Sequence, residues 1–336
     1  FWYRQGWLPL FNCHAAMIES LFHAYTPLLI WPGLGLLLSR FIPNRLPKLL
    51  GLALYWVGVP LQILVLGRQT EFSHGGGLIP VVAVGVVLLS IGVAIASWWG
   101  LKWFLGSKST DPTQNSPNYL NRASFGSFIL AAMLGNTGFI GLALTAVLIA
   151  PEHNSWAILY SVTNNVIATY GIAVFIASYF AKNETQKPWW IPLRDVITVP
   201  SLWAFFIGFG TQNWELPSLL ESALEQAVWV VIASALVLVG IRLGGVKGWR
   251  SFQLASIPTL LRVVIVPLLV GLGATYLGVT GDPRLILVLM AGTPTGLAVL
   301  ILAEVYELDR DLLASCIAMT FGGLLLMLPL WLAWFD

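Results

Sequence analysis

Leu134-Gly135-Asn136-Thr137-Gly138 and Gly292-Thr293-Pro294-Thr295-Gly296 are two short polar stretches set inside long apolar segments. Glycine lowers helix stability, and proline removes a backbone donor and clashes with the preceding turn. Each stretch is therefore expected to break a helix midway along its length. Residues 123–150 and 285–303 around the breaks are long enough to cross a bilayer, which takes about 20 apolar residues. A break at mid-depth leaves backbone groups without helix partners. Lipid tolerates that only where the break is buried in protein or lines a wet cavity. Asn136, Thr137, Thr293 and Thr295 are placed to bond the freed backbone or a ligand.

The rest of the composition agrees with a membrane setting. The 336 residues carry only 17 Lys and Arg and 15 Asp and Glu, against 57% apolar residues. A soluble domain would be about one-quarter charged. Mean hydropathy is +0.81, which excludes both a soluble enzyme and a disordered chain. Two cysteines, Cys13 and Cys316, exclude a disulfide framework. A net charge of +2 gives no footprint for nucleic acid.

Ten apolar segments are expected to span: 21–38, 49–66, 78–101, 123–150, 156–180, 196–209, 223–241, 257–277, 285–303 and 312–334. The sixth is the weakest, being short and holding Pro200. Residues 1–20 form an N-terminal extension, and Met17 offers a second start. Of the 17 basic residues, 13 fall in loops on one face under this topology. The positive-inside rule makes that face cytoplasmic and puts both termini outside.

Aligning Gly141-Leu142-Ala143 with Gly296-Leu297-Ala298 gives an offset of 155 residues. Each half, 21–181 and 182–336, then holds five spans with a break in its fourth. Five is odd, so the second half starts on the other face and the repeats are inverted. On this topology both second half-helices point their amino ends at the membrane centre, each with about half a positive charge. Such a pair can hold a carboxylate. The substrate or crossover set is then Gly135, Asn136, Thr137, Gly138, Thr293, Pro294, Thr295 and Gly296. Asn164, Asn165 and Thr320 (the last aligned with Asn165 by the same offset) support it, with interhelical packing as the alternative. Gln62 follows Pro60 and is expected to pack, with a site-facing role as the second reading. Arg262, about five residues into its span, is expected to snorkel to the interface. Glu225 and Glu304 are expected to reach the interfaces. His14, His23, His74 and His153 form no metal constellation.

The motifs resemble those of the auxin efflux carrier family. Gly135-Asn136-Thr137-Gly138-Phe139-Ile140-Gly141-Leu142 is similar to its fourth-helix motif. Thr293-Pro294-Thr295-Gly296, with Ala303-Glu304-Val305-Tyr306 and Leu308-Asp309 beyond, is similar to its ninth. Tyr55-Trp56-Val57-Gly58-Val59-Pro60 and Leu261-Arg262-Val263-Val264-Ile265-Val266-Pro267 add to the likeness. The resemblance implies an all-α polytopic membrane protein with the bile acid/sodium symporter architecture. Its transport domain would comprise spans three to five and eight to ten, and its scaffold the other four. It implies elevator-type movement of a small organic anion, with Asn136 and Pro294 at the crossover. The central loop, residues 181–190, is short, which fits a bacterial-type member in an inner membrane. No cofactor and no enzymatic role are implied. Coupling to a proton or a sodium ion, through Asp195 or Glu304, stays open. The partners expected are the anion, the lipid bilayer and a second copy of the chain. An uncoupled facilitator, a channel or a sensor on the same fold is the competing reading, with an intramembrane enzyme last because no His-Glu-x-x-His or nucleophile-base pattern is present.

Overall fold

The computed structural model describes residues 8–43, 45–69, 76–106, 121–181, 190, 194, 197–198, 200–244 and 249–335. Twelve helices of seven residues or more have defined bounds among these described residues. They are α1 Leu8–Leu38, α2 Arg45–Arg68, α3 Ile79–Gly106, α4 Arg122–Met133, α5 Thr137–Leu148 and α6 Pro151–Phe180. Beyond these come α7 Pro200–Gly210, α8 Ser218–Gly244, α9 Phe252–Tyr276, α10 Asp282–Ala291, α11 Ala298–Val305 and α12 Arg310–Phe335. Six of them (α2, α3, α6, α8, α9 and α12) are long and apolar enough to cross a membrane alone. The helix α1 begins well before the expected first span and runs into the stretch read as an extension. The weak sixth segment is a helix of 11 residues.

The two expected breaks are present, between α4 and α5 and between α10 and α11. Their flanks are buried all round, from Gly126 to Gly141 and from Leu285 to Leu297. A helix hydrophobic on every face belongs inside a bundle. By contrast, Val81, Leu88, Trp99, Trp229 and Leu326 on the outer helices are all more than half exposed. That much outward apolar surface fits acyl chains and not water.

The helices pack in two groups. In the first, α1 lies along α8, and α2 along α7 and α8. The backbones approach closely where side chains are missing. A Cβ on Gly35 would meet the Val237 carbonyl, and one on Gly240 the Pro32 carbonyl. Small residues that let backbones touch are the usual basis of helix association in lipid, where no hydrophobic drive exists. In the second group α9 packs on α12 and α10, while α4 packs on α3, α6 and α12.

Among the described residues, four helices carry a stretch widened to i→i+5 bonding: Leu54–Gly58, Thr137–Gly141, Asn164–Ala173 and Leu261–Ile265. Two have a visible cause. Pro60 and Pro267 cannot donate and crowd the turn before them. The ladder resets ahead of each, through Val59 N–H to Leu54 O and Val266 N–H to Leu261 O. Widened turns of this kind concentrate at functional sites.

Candidate functional site

The two breaks cross as a short antiparallel pair, with Gly135 opposite Thr295. Asn136 N–H donates to Pro294 O at 2.7 Å, and Gly296 N–H to Leu134 O at 3.0 Å. Leu134 is extended, at φ −96° and ψ 111°. Two unwound strands thus satisfy each other inside the bundle, which answers the demand that buried backbone be paired.

Each break is then tied differently. On the second, Thr295 N–H donates to Thr320 Oγ1 at 3.0 Å, and Thr295 Oγ1 to Ala131 O at 2.9 Å. Thr320 Oγ1 in turn donates to Cys316 O at 2.6 Å. On the first, Asn136 caps α5 through its side-chain oxygen, which accepts from Phe139 N–H at 3.3 Å. Asn164 Nδ2 donates to Thr137 Oγ1 at 3.2 Å and reaches Gly135 O at 3.5 Å. Gln62 Nε2 donates to Gly138 O at 2.6 Å. Asn165 is turned back on its own helix, with Nδ2 donating to Ser161 O at 2.8 Å.

Arg262 departs from the sequence reading. It does not snorkel. Its side chain is buried and lies in the crossing. Nε donates to Thr293 O at 2.9 Å, Nη1 to Met133 O at 3.2 Å and Nη2 to Thr293 Oγ1 at 3.1 Å. The carbonyls it binds lie at the carboxyl ends of α4 and α10, where the helix dipoles leave partial negative charge. A long cationic side chain five residues from an interface can go either way. The two helix ends and three neutral acceptors draw it inward. The guanidinium also explains Gly135, because a Cβ there would overlap Arg262 Nη2 and Thr293 Oγ1. The signal was present in the sequence, since an ionisable residue inside a span is a functional candidate by default.

Beside the crossing is a cavity of about 60 Å³, lined by Gln62, Asn136, Thr137, Gly138, Asn165 and Arg242 among others. Arg242 is the charged side chain of its wall. Asn136 Nδ2 is buried and makes no hydrogen bond. The N–H groups of Thr137 and Gly138 open α5, where helix geometry provides no acceptor. A wall with an idle amide donor, a helix amino end and a guanidinium suits negative charge. Gln62, expected to pack, belongs to this wall. Gly135 and Gly296 also line this wall, with Leu297 and Ala298 beyond, whereas Thr293, Pro294, Thr295 and Thr320 do not, so the set read from sequence divides into a face and a support.

Other expected residues lie elsewhere. Glu225 is exposed. Glu304 reaches Arg242, Oε1 to Nη1 at 3.6 Å. His153 stands 3.5 Å from Asp282, whose carboxylate also accepts from Ala150 N–H at 2.9 Å. Among the described residues no three potential metal ligands cluster. His74 and Asp195, and the side chains of Cys13, His14 and His23, lie outside the described residues.

Comparison with known sequences identifies the chain. The profile of the family described as membrane transport protein matches residues 119–332, which hold both breaks. The chain belongs to the membrane transport protein family. The auxin efflux carrier likeness drawn from the motifs is thereby borne out. The chain is similar to an uncharacterized transporter of Methanothermobacter thermautotrophicus, 26% identical over 281 residues, covering 82% of this chain and 84% of that one. It is also similar to an uncharacterized transporter of Methanocaldococcus jannaschii, 24% identical over 217 residues, covering 63% and 69%. Family membership and the apolar helices make it an integral, multi-pass membrane transporter.

Proposed function

We propose that this protein is a secondary carrier for a small organic anion such as a carboxylate. The observation that carries the reading is the unpartnered Asn136 Nδ2 at the amino end of α5, in a cavity whose charged wall residue is Arg242. An idle buried amide donor costs free energy unless a ligand meets it. One water needs at least about 10–15 Å³ of such space, so a cavity of about 60 Å³ has room for more than one. A small carboxylate group is of the size that such a space admits.

The mechanism is an elevator built on two inverted five-span repeats. The group containing both breaks slides against α1, α2, α7 and α8 and carries the crossing with it. The grouping of helix contacts and the antiparallel meeting of the breaks support this. The basic face is cytoplasmic, both termini are outside, and the membrane is a bacterial inner membrane in which two copies pair through the static group. Coupling to a proton or sodium ion is decided by the same assay run with imposed gradients.

The test is transport by purified protein in proteoliposomes. Asn136→Ala combined with Pro294→Ala is expected to abolish carboxylate uptake while expression stays intact; normal uptake by that variant sinks the reading. Orientation is tested apart from it. A cysteine at position 46 should be protected from an impermeant thiol reagent in intact cells, and one at position 74 labelled.

A further inference from the structure

Arg242 stands between two spaces. It lines the crossover cavity, and it also lines a wider vestibule of about 460 Å³ on the side carrying the basic loops. Leu300 is the other residue common to both walls. The vestibule wall includes Lys48, Arg242 and Arg310 against Glu304 and Asp311. Positive side chains are in excess there, so an anion is drawn in.

The guanidinium already has an anionic partner. Nη1 lies 3.6 Å from Glu304 Oε1, and the two side chains are 22% and 26% exposed. Such a distance is an ion pair without a tight hydrogen bond, so it is exchangeable. Its two ends also belong to different packing groups. Arg242 is on α8, whose backbone is pressed onto α1 at Gly240, and Glu304 is on α11, directly beyond the second break. Any sliding of the broken helices past α8 must part this pair. A carboxylate coming from the vestibule is the same chemical group as Glu304 and meets the same guanidinium.

We propose that the Arg242–Glu304 pair is a substrate-exchanged latch: an entering carboxylate takes Glu304's place on Arg242, which leads the anion into the crossover cavity and frees α11 from α8. The proposal rests on the anion-carrier reading above. It makes the ligand both cargo and key. The exchange has differential free energy in the two states, as any ligand-driven shift requires. Without ligand, the paired charges hold the group at rest; with ligand, Glu304 is released to the vestibule, where Arg310 already donates to its backbone carbonyl at 3.4 Å.

The two partners then affect transport in opposite directions, which a purely structural salt bridge does not do. Uptake of radiolabelled propanoate and radiolabelled malonate is measured in proteoliposomes over a concentration range for wild type, Glu304→Gln, Arg242→Gln and Arg242→Lys. Glu304→Gln removes the competitor and is expected to lower the apparent KM by about two- to fivefold, the size of a partly exposed ion pair. Arg242→Gln is expected to raise it by at least about tenfold, with Arg242→Lys between Gln and wild type. Thermal melts of each variant accompany the kinetics, so that a folding defect is seen as a lowered midpoint and not as a KM shift. If wild type carries neither anion, the carrier reading falls and the latch with it. If wild type carries one, but both substitutions move KM the same way or leave it unchanged while lowering the maximal rate together, the latch alone is overturned.

Discussion

The two breaks are alike in sequence and unlike in bonding. Both are short, glycine-bounded and rich in Asn or Thr, and they meet as partners of one antiparallel pair. The second is closed. The Thr293 hydroxyl donates to Met290 O and accepts from Arg262, and the Thr295 hydroxyl and N–H are both bonded. The first is open. Asn136 uses its side-chain oxygen to cap α5 and leaves Nδ2 idle beside the cavity. One break therefore fixes the crossing and the other presents it. Likeness in sequence does not require likeness in use, and here the added element is Arg262, which serves the second break and the carboxyl end of α4.

The largest effect on stability is expected at Arg262. Arg262→Met leaves Thr293 O and Met133 O buried without a donor, at about 1–3 kcal/mol each, and the melting midpoint of the detergent-purified protein should fall accordingly. A wild-type midpoint would mean that the second break closes without the guanidinium. Gly135→Ala comes next, because its Cβ falls on Arg262 Nη2. It should reproduce most of the Arg262→Met loss, and combining the two should add little; full additivity would separate them. Thr320→Val removes the acceptor of Thr295 N–H and should cost about 1–3 kcal/mol. Asn136→Ala should cost least, about 0.5–2 kcal/mol for a lost helix cap, although it strikes the proposed binding wall.

Local rules made part of the fold legible. Glycine and proline at 135–138 and 292–296 announce broken helices whatever surrounds them. Pro60 and Pro267 mark α2 and α9 in the same way, and long apolar runs announce the remaining spans. Choices between neighbours were not legible. Residues 8–20 carry too few membrane signals to be read as helix. Arg262 could go outward or inward, and only the assembled carboxyl ends of α4 and α10 decide it. Gln62 fits packing and binding equally well until Gly138 is brought to it, 76 residues away in the chain. The Arg242–Glu304 pair joins helices that share no motif, so no spacing could reveal it.

In the proposed function, the first break is the one that meets the cargo. The direct test compares Asn136→Ala with Thr295→Val in proteoliposomes, scoring initial carboxylate uptake and melting midpoint on the same preparations. Asn136→Ala is predicted to lose at least about tenfold in uptake, the scale of one lost ligand hydrogen bond at a site built for it, with a smaller loss of midpoint than Thr295→Val. Thr295→Val is predicted to lose mainly melting midpoint, with uptake per folded molecule retained. The reverse pattern, or uptake that tracks the midpoint in both variants, would contradict the assignment of binding to one break and support to the other.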